Sequence, residues 1–294
     1  MKTLKLYDHC PEVQYLKALL NSKINSKLDT TLTLYNTPTK EEVERYQNLV
    51  GLKADSIVGP LTWTALMAAP FTFNIVPLQY NLTSLPNRRK EVLDKLWDKH
   101  ANTICSIADQ IGIEPSLLFA VILVESAGTG FEDKKLLIRF EAHIFERILK
   151  SPEFDTFFRH DKDKPWLNQE MHVDGSWQPI HKNQVNNYTA LGIALKLSPR
   201  AYESISMGLA QLMGFHYNIL GFDSAEQMFQ TQSLTEEEQL FSFATFLLIN
   251  PSLLLNLIKK DLLEFARYYN GFGQAQLYAE FISNTQTQIL IRKK

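Results

Sequence analysis

One acidic residue interrupts the most apolar helical pattern of the chain. Residues 115–124 are PSLLFAVILV, and Glu125-Ser126-Ala127-Gly128 follows. Pro115 suits a first helical turn and Gly128 a helix end, so the pattern predicts a buried helix whose only interior charge is Glu125. Burial and the negative end of the helix dipole both raise the pKa of such a carboxyl. A carboxylic acid protonated near neutral pH is what glycoside cleavage needs to protonate the leaving oxygen.

For a buried glutamate taken by itself, two structural interpretations compete with this chemistry. The carboxylate of Glu125 can serve as a partner of Ser126, or it can pair with an arginine.

A second carboxylate lies in the segment LLIRFEAHIFERIL, residues 136–149. If a helix begins at Phe140, Glu141 faces inward with Ile144 and Phe145, whereas Glu146 faces water. If residues 136–140 form a strand instead, Glu141 lies at the corner between strand and helix. Its carboxylate would then orient a water molecule or stabilise positive charge. A structural ion pair with Arg139 or Arg147 is the alternative.

Two further segments place polar residues at unusual positions. Residues 206–214, SMGLAQLMG, predict a helix-like apolar run that contains the amide of Gln211. A buried amide without a partner is costly, so a sugar hydroxyl or acetamido group would suit it. Another apolar helix, through Leu262 and Phe265, ends in Tyr268-Tyr269-Asn270-Gly271, where Asn-Gly is an ordinary helix stop.

In the order given, these segments resemble the lysozyme superfamily: Glu-Ser at a helix end, Ser-x-Gly-Leu-x-Gln-x-Met, then Tyr-Asn-Gly. More closely, VESAGTGF, LIRFEAHIFER, SISMGLAQLMGFHYNILGF and FARYYNG are similar to the N-acetylmuramidase family of modular bacteriophage endolysins, over residues 95 to 285 or so. The resemblance implies a predominantly helical, lysozyme-like domain that cleaves the β-1,4 bond between N-acetylmuramic acid and N-acetylglucosamine of peptidoglycan.

The same resemblance implies a role for each matching residue. Glu125 would be the catalytic acid, Glu141 the supporting carboxylate and Tyr269 an assisting hydroxyl. The substrate-binding residues would be Ser126, Ser206, Gln211 and Asn270. The sequence departs from the family at Arg139 and Ala142, where Leu and Arg are usual, and at Met207, where Trp is usual.

The first 70 residues have a separate pattern. Short amphipathic helices are predicted, with Thr39 and Glu42 as a capping box of the second. Residues 51–67, GLKADSIVGPLTWTALM, contain the Gly-Leu, Val-Gly-Pro, Thr-Trp and Leu series of the helical peptidoglycan-binding module, which they resemble. Ser56 stands where that module usually has Gly, and the first half-repeat, residues 28–39, lacks its Asp-Gly turn.

The expected organisation is therefore mainly α (α+β). A three-helix peptidoglycan-binding domain (residues 1–70) is followed by a proline-containing linker (71–90) and a lysozyme-like catalytic domain (91–294). A polar stretch, residues 151–187, is expected to hold loops or a small sheet. The apolar segment 241–258 contains Asn250-Pro251 and is expected to be two helices that meet rather than a membrane span.

Composition excludes several classes of function. Thirty Lys and Arg balance thirty-two Asp and Glu, so no strong field attracts nucleic acid or an anionic membrane. The cluster Arg88-Arg89-Lys90 is interpreted as a solvated linker end. The histidines show no metal-ligand spacing, and we expect no metal and no cofactor.

The expected partner is the glycan strand of peptidoglycan, and the expected state is a monomer. The charged N-terminus predicts no signal peptide, so a lysis enzyme would wait in the host cytoplasm before it reaches the wall. The sequence leaves inverting and retaining chemistry open. The alternatives are a lytic transglycosylase with 1,6-anhydromuramyl products and a non-catalytic wall-binding or virion protein.

Overall fold

A computed structural model describes residues 1–84 and 90–294 of the chain. The helices, in chain order, are α1 (Pro11–Ile24), α2 (Thr37–Leu49), α3 (Pro60–Met67), α4 (Lys90–Ile111), α5 (Pro115–Ser126), α6 (Ala142–Leu149), α7 (Phe154–Phe157), α8 (Gln184–Leu197), α9 (Ala225–Gln232), α10 (Glu236–Ile249), α11 (Pro251–Lys259), α12 (Leu262–Asn270) and α13 (Ala275–Thr287).

The strands are short. They are β1 (Tyr80–Ser84), β2 (Phe131–Glu132), β3 (Lys135–Leu136), β4 (Ile138–Phe140), β5 (Phe158–Arg159), β6 (Glu170–Val173), β7 (Ser176–Pro179), β8 (Ile205–Met207), β9 (Leu212–Met213) and β10 (Ile289–Lys293). Helices therefore dominate over small sheets, which confirms the predicted mainly α class.

Contacts group the chain into two compact units. The first consists of Met1–Gly128 and Leu240–Lys294, and the second is Thr129–Gln239. The first unit contains helices α1 to α5, most of α10, and α11 to α13. The second contains the strands β2 to β9 and helices α6 to α9.

The three N-terminal helices are packed inside the first unit. Helix α1 packs against α4 and α11. The buried Tyr15 donates from its hydroxyl to the carbonyl of Leu248 over 2.5 Å, and Thr30 Oγ1 donates to the carbonyl of Asp109 over 3.1 Å. Residues 1–70 therefore belong to the same compact unit as α4 and α11.

Helix α2 begins in a different way from the predicted one. Its N-cap is Asn36, whose side chain accepts hydrogen bonds from the backbone N–H and the hydroxyl of Thr39. The expectation that Thr39 caps this helix is therefore wrong, since the helix starts at Thr37. Asn36 can cap a helix that begins at Thr37-Pro38 as well as Thr39 could cap one that begins three residues later.

The turn before α3 explains one departure from the module pattern. Ser56 has φ +58°, in the left-handed region where Gly is the usual residue. The buried amide of Gln47 supports this backbone: its Oε1 accepts from Ser56 N over 3.0 Å, and its Nε2 donates to the carbonyl of Ile57 over 3.0 Å. The serine is thus held in a glycine-like conformation by hydrogen bonds.

The predicted linker contains a strand that the sequence pattern did not indicate. Strand β1 pairs with β10 in antiparallel register, so Tyr80 lies opposite Lys293 and Ser84 opposite Ile289. Residues 85–89, which include Arg88 and Arg89 of the basic cluster, lie outside the described residues. Nothing local predicts β1, because its partner lies at the other end of the chain.

The segment 241–258 forms two helices, as predicted from Asn250-Pro251. Within residues 1–84 and 90–294, no single helix is long and apolar enough to cross a membrane. Two adjacent helix pairs reach that length and composition only together, and they are sharply bent: α4 with α5 by 118° and α10 with α11 by 93°.

The second unit contains the β2-β3 strand pair and two three-stranded antiparallel sheets. One has the strand order β4-β8-β9, and the other has the order β5-β6-β7. The second sheet falls in residues 151–187, where the polar pattern predicted loops or a small sheet. In the first sheet, Phe140 at the end of β4 lies opposite Ile205 of β8.

Candidate active site

Glu125 lies one residue before the end of α5, as the apolar pattern predicts. Seven consecutive residues of this helix, Leu117 to Leu123, are buried. The helix packs against α4 and α13. It ends where Ala127 takes φ +52° and Gly128 takes φ +73°, so an alanine adopts the left-handed position that the sequence assigned to glycine.

Burial controls the acidity of Glu125. Desolvation raises its pKa to about 7, because the protein interior disfavours the carboxylate. Asn270 partly opposes this effect, since its Nδ2 donates to Glu125 Oε1 over 3.1 Å and favours the charged form. The Oδ1 atom of Asn270 is buried and has no hydrogen-bond partner among the described residues. An acid that is mostly protonated below about pH 7 thus lies beside an amide whose oxygen has no partner among the described residues.

Helix α12 supplies the two residues next to Glu125. Gly271, with φ +84°, ends this helix directly after Asn270, which confirms the predicted helix stop. The ring of Tyr269 stacks on Phe265 at 5.3 Å and meets Phe243 edge-on at 5.9 Å. Burial and the charge of Glu125 raise the pKa of Tyr269 well above its ordinary value. Its hydroxyl therefore stays protonated and able to donate.

Ser126, predicted to bind substrate, is committed to its own helix. Its side chain is buried, and Oγ donates to the carbonyl of Ile122 over 3.2 Å. This bond satisfies the hydroxyl within the last turn of α5. The structure thus groups Glu125, Tyr269 and Asn270 in the first unit. Ser126 directly follows Glu125 in the sequence.

Glu141 lies at the corner between β4 and α6, where it is the N-cap residue of the helix. Of the two predicted geometries, the strand followed by a helix is the one that forms. Arg139 Nε donates to Glu141 Oε1 over 2.7 Å, so the ion pair considered as the structural alternative is present. The Glu141 side chain is only 13% exposed, whereas that of Arg139 is 47% exposed.

Gln169 holds the other carboxylate oxygen of Glu141, and His143 lies beside it. Gln169 Nε2 donates to Oε2 over 2.8 Å, and His143 Nδ1 lies 3.5 Å from the same atom. The pKa of His143 is lowered, chiefly by burial and despite the nearby charge of Glu141. Gln169 lies in the weakly patterned stretch 151–187, and no sequence signal distinguished it from other polar residues there.

The prediction of a helix-like run over residues 206–214 is wrong. Ser206 belongs to β8, Leu212 begins β9, and the residues between form the turn of a hairpin. Gly208 takes φ +73°, and a Cβ there would lie 2.8 Å from Oε1 of the buried Gln239. Periodicity misled the prediction because an apolar hairpin buried on both faces lacks the strand alternation.

The hairpin also supplies the partners of Gln211. Its Oε1 accepts from Ser206 Oγ over 2.9 Å, and its Nε2 donates to the carbonyl of Gly208 over 2.9 Å. The hairpin therefore provides partners for this amide without the sugar hydroxyl or acetamido group that was expected to suit it. Within the described residues, Ser206 and Gln211 are brought together, but they bond to each other and to the turn.

Comparisons with known proteins were made on sequence and on structure. A family model, Muramidase (N-acetylmuramidase), matches residues 114–289, which is more than half of the chain. The crystal structure of the Burkholderia AP3 phage endolysin is similar over 97% of this chain and 98% of that chain, with 27% sequence identity and a TM-score of 0.47. Among curated proteins, none matches the chain.

Proposed function

Because this chain belongs to the N-acetylmuramidase family, and is thus a glycoside hydrolase acting on peptidoglycan, we propose that Glu125 is its general acid. The bond cleaved is the β-1,4 bond between N-acetylmuramic acid and N-acetylglucosamine. The observation that supports this role is the pKa of Glu125, raised to about 7 by burial at the end of an apolar helix. Such a carboxyl gives its proton to the glycosidic oxygen as the bond to the anomeric carbon breaks.

Asn270 and Tyr269 complete this part of the proposal. Asn270 Nδ2 donates to Glu125, and its Oδ1, which is buried and has no hydrogen-bond partner among the described residues, is the acceptor that we assign to a substrate hydroxyl or acetamido N–H. The raised pKa of Tyr269 keeps its hydroxyl protonated, which suits an assisting donor. Both side chains are therefore assigned to the reaction together with Glu125.

To Glu141 we assign the supporting carboxylate role. Its contacts with Arg139 and Gln169 fix the orientation of both oxygens, as a group that guides water or stabilises a developing cation requires. Ser206 and Gln211 are assigned to substrate binding as a hydrogen-bonded pair, in which Gln211 is partly exposed and Ser206 is buried.

The remaining assignments concern the whole protein. Residues 1–70 are proposed to bind peptidoglycan, on the strength of the Gly51-to-Leu66 pattern and the ordered turn at Ser56. The protein is proposed to act as a monomeric endolysin, which waits in the host cytoplasm and then lyses the wall, with neither nucleic acid nor membrane as a partner. The motifs shared with phage N-acetylmuramidases support the lysis role.

The proposal is tested by clearing of purified cell walls. Wild type should clear the suspension, and Glu125→Gln should not, because glutamine has no proton of suitable acidity. Equal clearing by the two proteins would overturn the assignment of Glu125. Mass spectrometry of the released fragments should find reducing ends; 1,6-anhydro ends would instead make the protein a lytic transglycosylase.

A further inference from the structure

We infer that Gln169 is a positioning residue for the reaction: it holds the Glu141 carboxylate in a single orientation. The inference rests on the role proposed above for Glu141. It begins from the burial of Gln169, which is 3% exposed although it lies in a polar, loop-rich part of the sequence. Buried amide groups are normally hydrogen-bonded at both the oxygen and the nitrogen. The partners of these two atoms in Gln169 show which way the amide is oriented.

The orientation of the Gln169 amide is determined by its partners. The backbone N–H of Ala142 donates to Gln169 Oε1 over 2.7 Å, and a backbone N–H can only donate. The oxygen therefore faces Ala142, and the NH₂ group faces Glu141 Oε2 at 2.8 Å. Gln169 consequently presents a donor, and not an acceptor, to the carboxylate.

One amide thereby joins the carboxylate to the helix that follows it. Ala142 is the first residue of α6, and its N–H is one of the donors that a helix leaves without an internal partner. Gln169 satisfies this donor and the Glu141 carboxylate together, while Arg139 holds the other carboxylate oxygen. With both oxygens bonded, rotation of the carboxylate about its last torsion breaks at least one hydrogen bond.

The second hydrogen of the Gln169 NH₂ group also has a partner. His143 Nδ1 lies 3.3 Å from Gln169 Nε2, and burial lowers the pKa of His143, so the neutral ring is able to accept. The charged and titratable side chains in electrostatic reach of Glu141 and His143 come from several elements. They are Arg139, Arg147, His160 and His181. Gln169 is not titratable, and its side-chain nitrogen contacts both Glu141 and His143.

The chain offers a matched control in Gln184. This partly buried side chain is bonded at both ends to β4, the strand that precedes Glu141: Oε1 accepts from Ile138 N over 3.0 Å, and Nε2 donates to the carbonyl of Ile138 over 2.8 Å. Gln184 supports β4 without touching a carboxylate. Loss of a glutamine side chain bonded at both ends can therefore be separated from loss of contact with Glu141.

The experiment compares Gln169→Glu, Gln169→Leu and Gln184→Leu in the full chain, with kcat and KM measured on soluble peptidoglycan fragments. Gln169→Glu keeps the acceptor for Ala142 and replaces the donor by a second carboxylate. Both Gln169 variants should lower kcat roughly 10- to 100-fold with KM within about twofold, as expected when a reacting group loses its orientation. Gln184→Leu should lower the melting temperature and leave kcat near wild type.

In the Glu141→Gln background, Gln169→Leu should have little further effect on kcat, because the group it orients no longer acts. A full additional loss there, or an unchanged kcat in Gln169→Glu, overturns the inference. If Glu141→Gln retains wild-type kcat, the proposed role of Glu141 fails and the inference with it. If Glu141→Gln is impaired and Gln169→Glu is not, the inference alone fails.

A measurement on the intact side chain covers the case in which neither Gln169 variant folds. In ¹⁵N-labelled protein, Glu141→Gln should move the side-chain amide resonance of Gln169, because its acceptor changes from a charged to a neutral oxygen. An unmoved resonance would overturn the inference.

Discussion

Glu125 and Glu141 are the same residue type in opposite surroundings. Glu125 ends an apolar helix and has one amide donor, from Asn270. Glu141 caps a short helix and has two hydrogen-bonded donors, Arg139 and Gln169, with His143 nearby. Burial with few donors favours a neutral acid, and bonding to donors suits a carboxylate. The proposed acid and the proposed supporting carboxylate therefore differ in the groups that surround them and not in residue type.

The largest effect on activity is expected from replacing Glu125. Glu125→Gln should lower kcat about 10³-fold, because general acid catalysis commonly contributes 10²- to 10⁴-fold. Glu141→Gln should lower it less, roughly 10- to 100-fold, since the isosteric amide keeps an acceptor oxygen. Kinetics on peptidoglycan fragments measures both values. A greater loss in Glu141→Gln would reverse the two assignments.

The scaffold behind Glu141 is expected to be sensitive at Gly208. Gly208→Ala should destabilise the protein by about 2 to 4 kcal/mol, from a strained positive φ and a contact of 2.8 Å with Gln239. Gln239 cannot easily give way, because its Oε1 accepts from Leu209 N and its Nε2 donates to the carbonyl of Gln232.

Thermal unfolding measures this change. Gly192→Ala is the matched control, since it lies in α8 with no atom within 4 Å of the added carbon. It should be neutral or stabilising by up to ~1 kcal/mol. Equal melting temperatures for the Gly208 variant and the wild type would contradict the packing described around the hairpin.

The acidity of Glu125 should be visible in the pH dependence of activity. Its raised pKa means that the acid is present below about pH 7 and is lost as pH rises through that value, so kcat/KM should fall on the alkaline side. Asn270→Ala removes a bond that lowers this pKa. The alkaline limb should therefore move to higher pH, by about one unit, since a bond to a charged group is worth ~1.5 kcal/mol or more.

A pH profile of kcat/KM for the free enzyme tests this shift. Asn250→Ala is a suitable control, because Asn250 also lies at the C-terminal end of a helix, α10, but donates to the carbonyl of Phe246. It should leave the limb in place. A limb that moves to lower pH in Asn270→Ala would show that the amide does not stabilise the ionised form.

The smallest expected effect concerns the scaffold behind Glu125. Tyr15→Phe removes the hydrogen bond to the carbonyl of Leu248 and should cost about 1 kcal/mol of unfolding free energy. Tyr7→Phe, at a residue 75% exposed, should change almost nothing. Denaturant unfolding compares them, and equal stabilities would mean that α1 does not support α10.

Much of the region around Glu125 was predictable, whereas little of the region around Glu141 was. The buried helix α5, its terminal acid and the helix stop at Asn270-Gly271 follow from apolar periodicity and helix-ending residues. The Glu141 corner was one of two options, and the choice depended on pairing of β4 with β8, whose residues Phe140 and Ile205 are distant in sequence. The hairpin at Gly208 was mistaken for a helix for the same reason.

The sequence by itself determined the buried helix α5, the acid that ends it and the end of α12, because burial periodicity and capping act over a few neighbouring residues. Only the tertiary structure decided what each carboxylate touches. Asn270 meets Glu125 across 145 positions of sequence, and Gln169 meets Glu141 across 28. Hydrogen bonds between such distant side chains form only after the helices and strands have packed, and these bonds make one glutamate suited to be an acid and the other a fixed carboxylate.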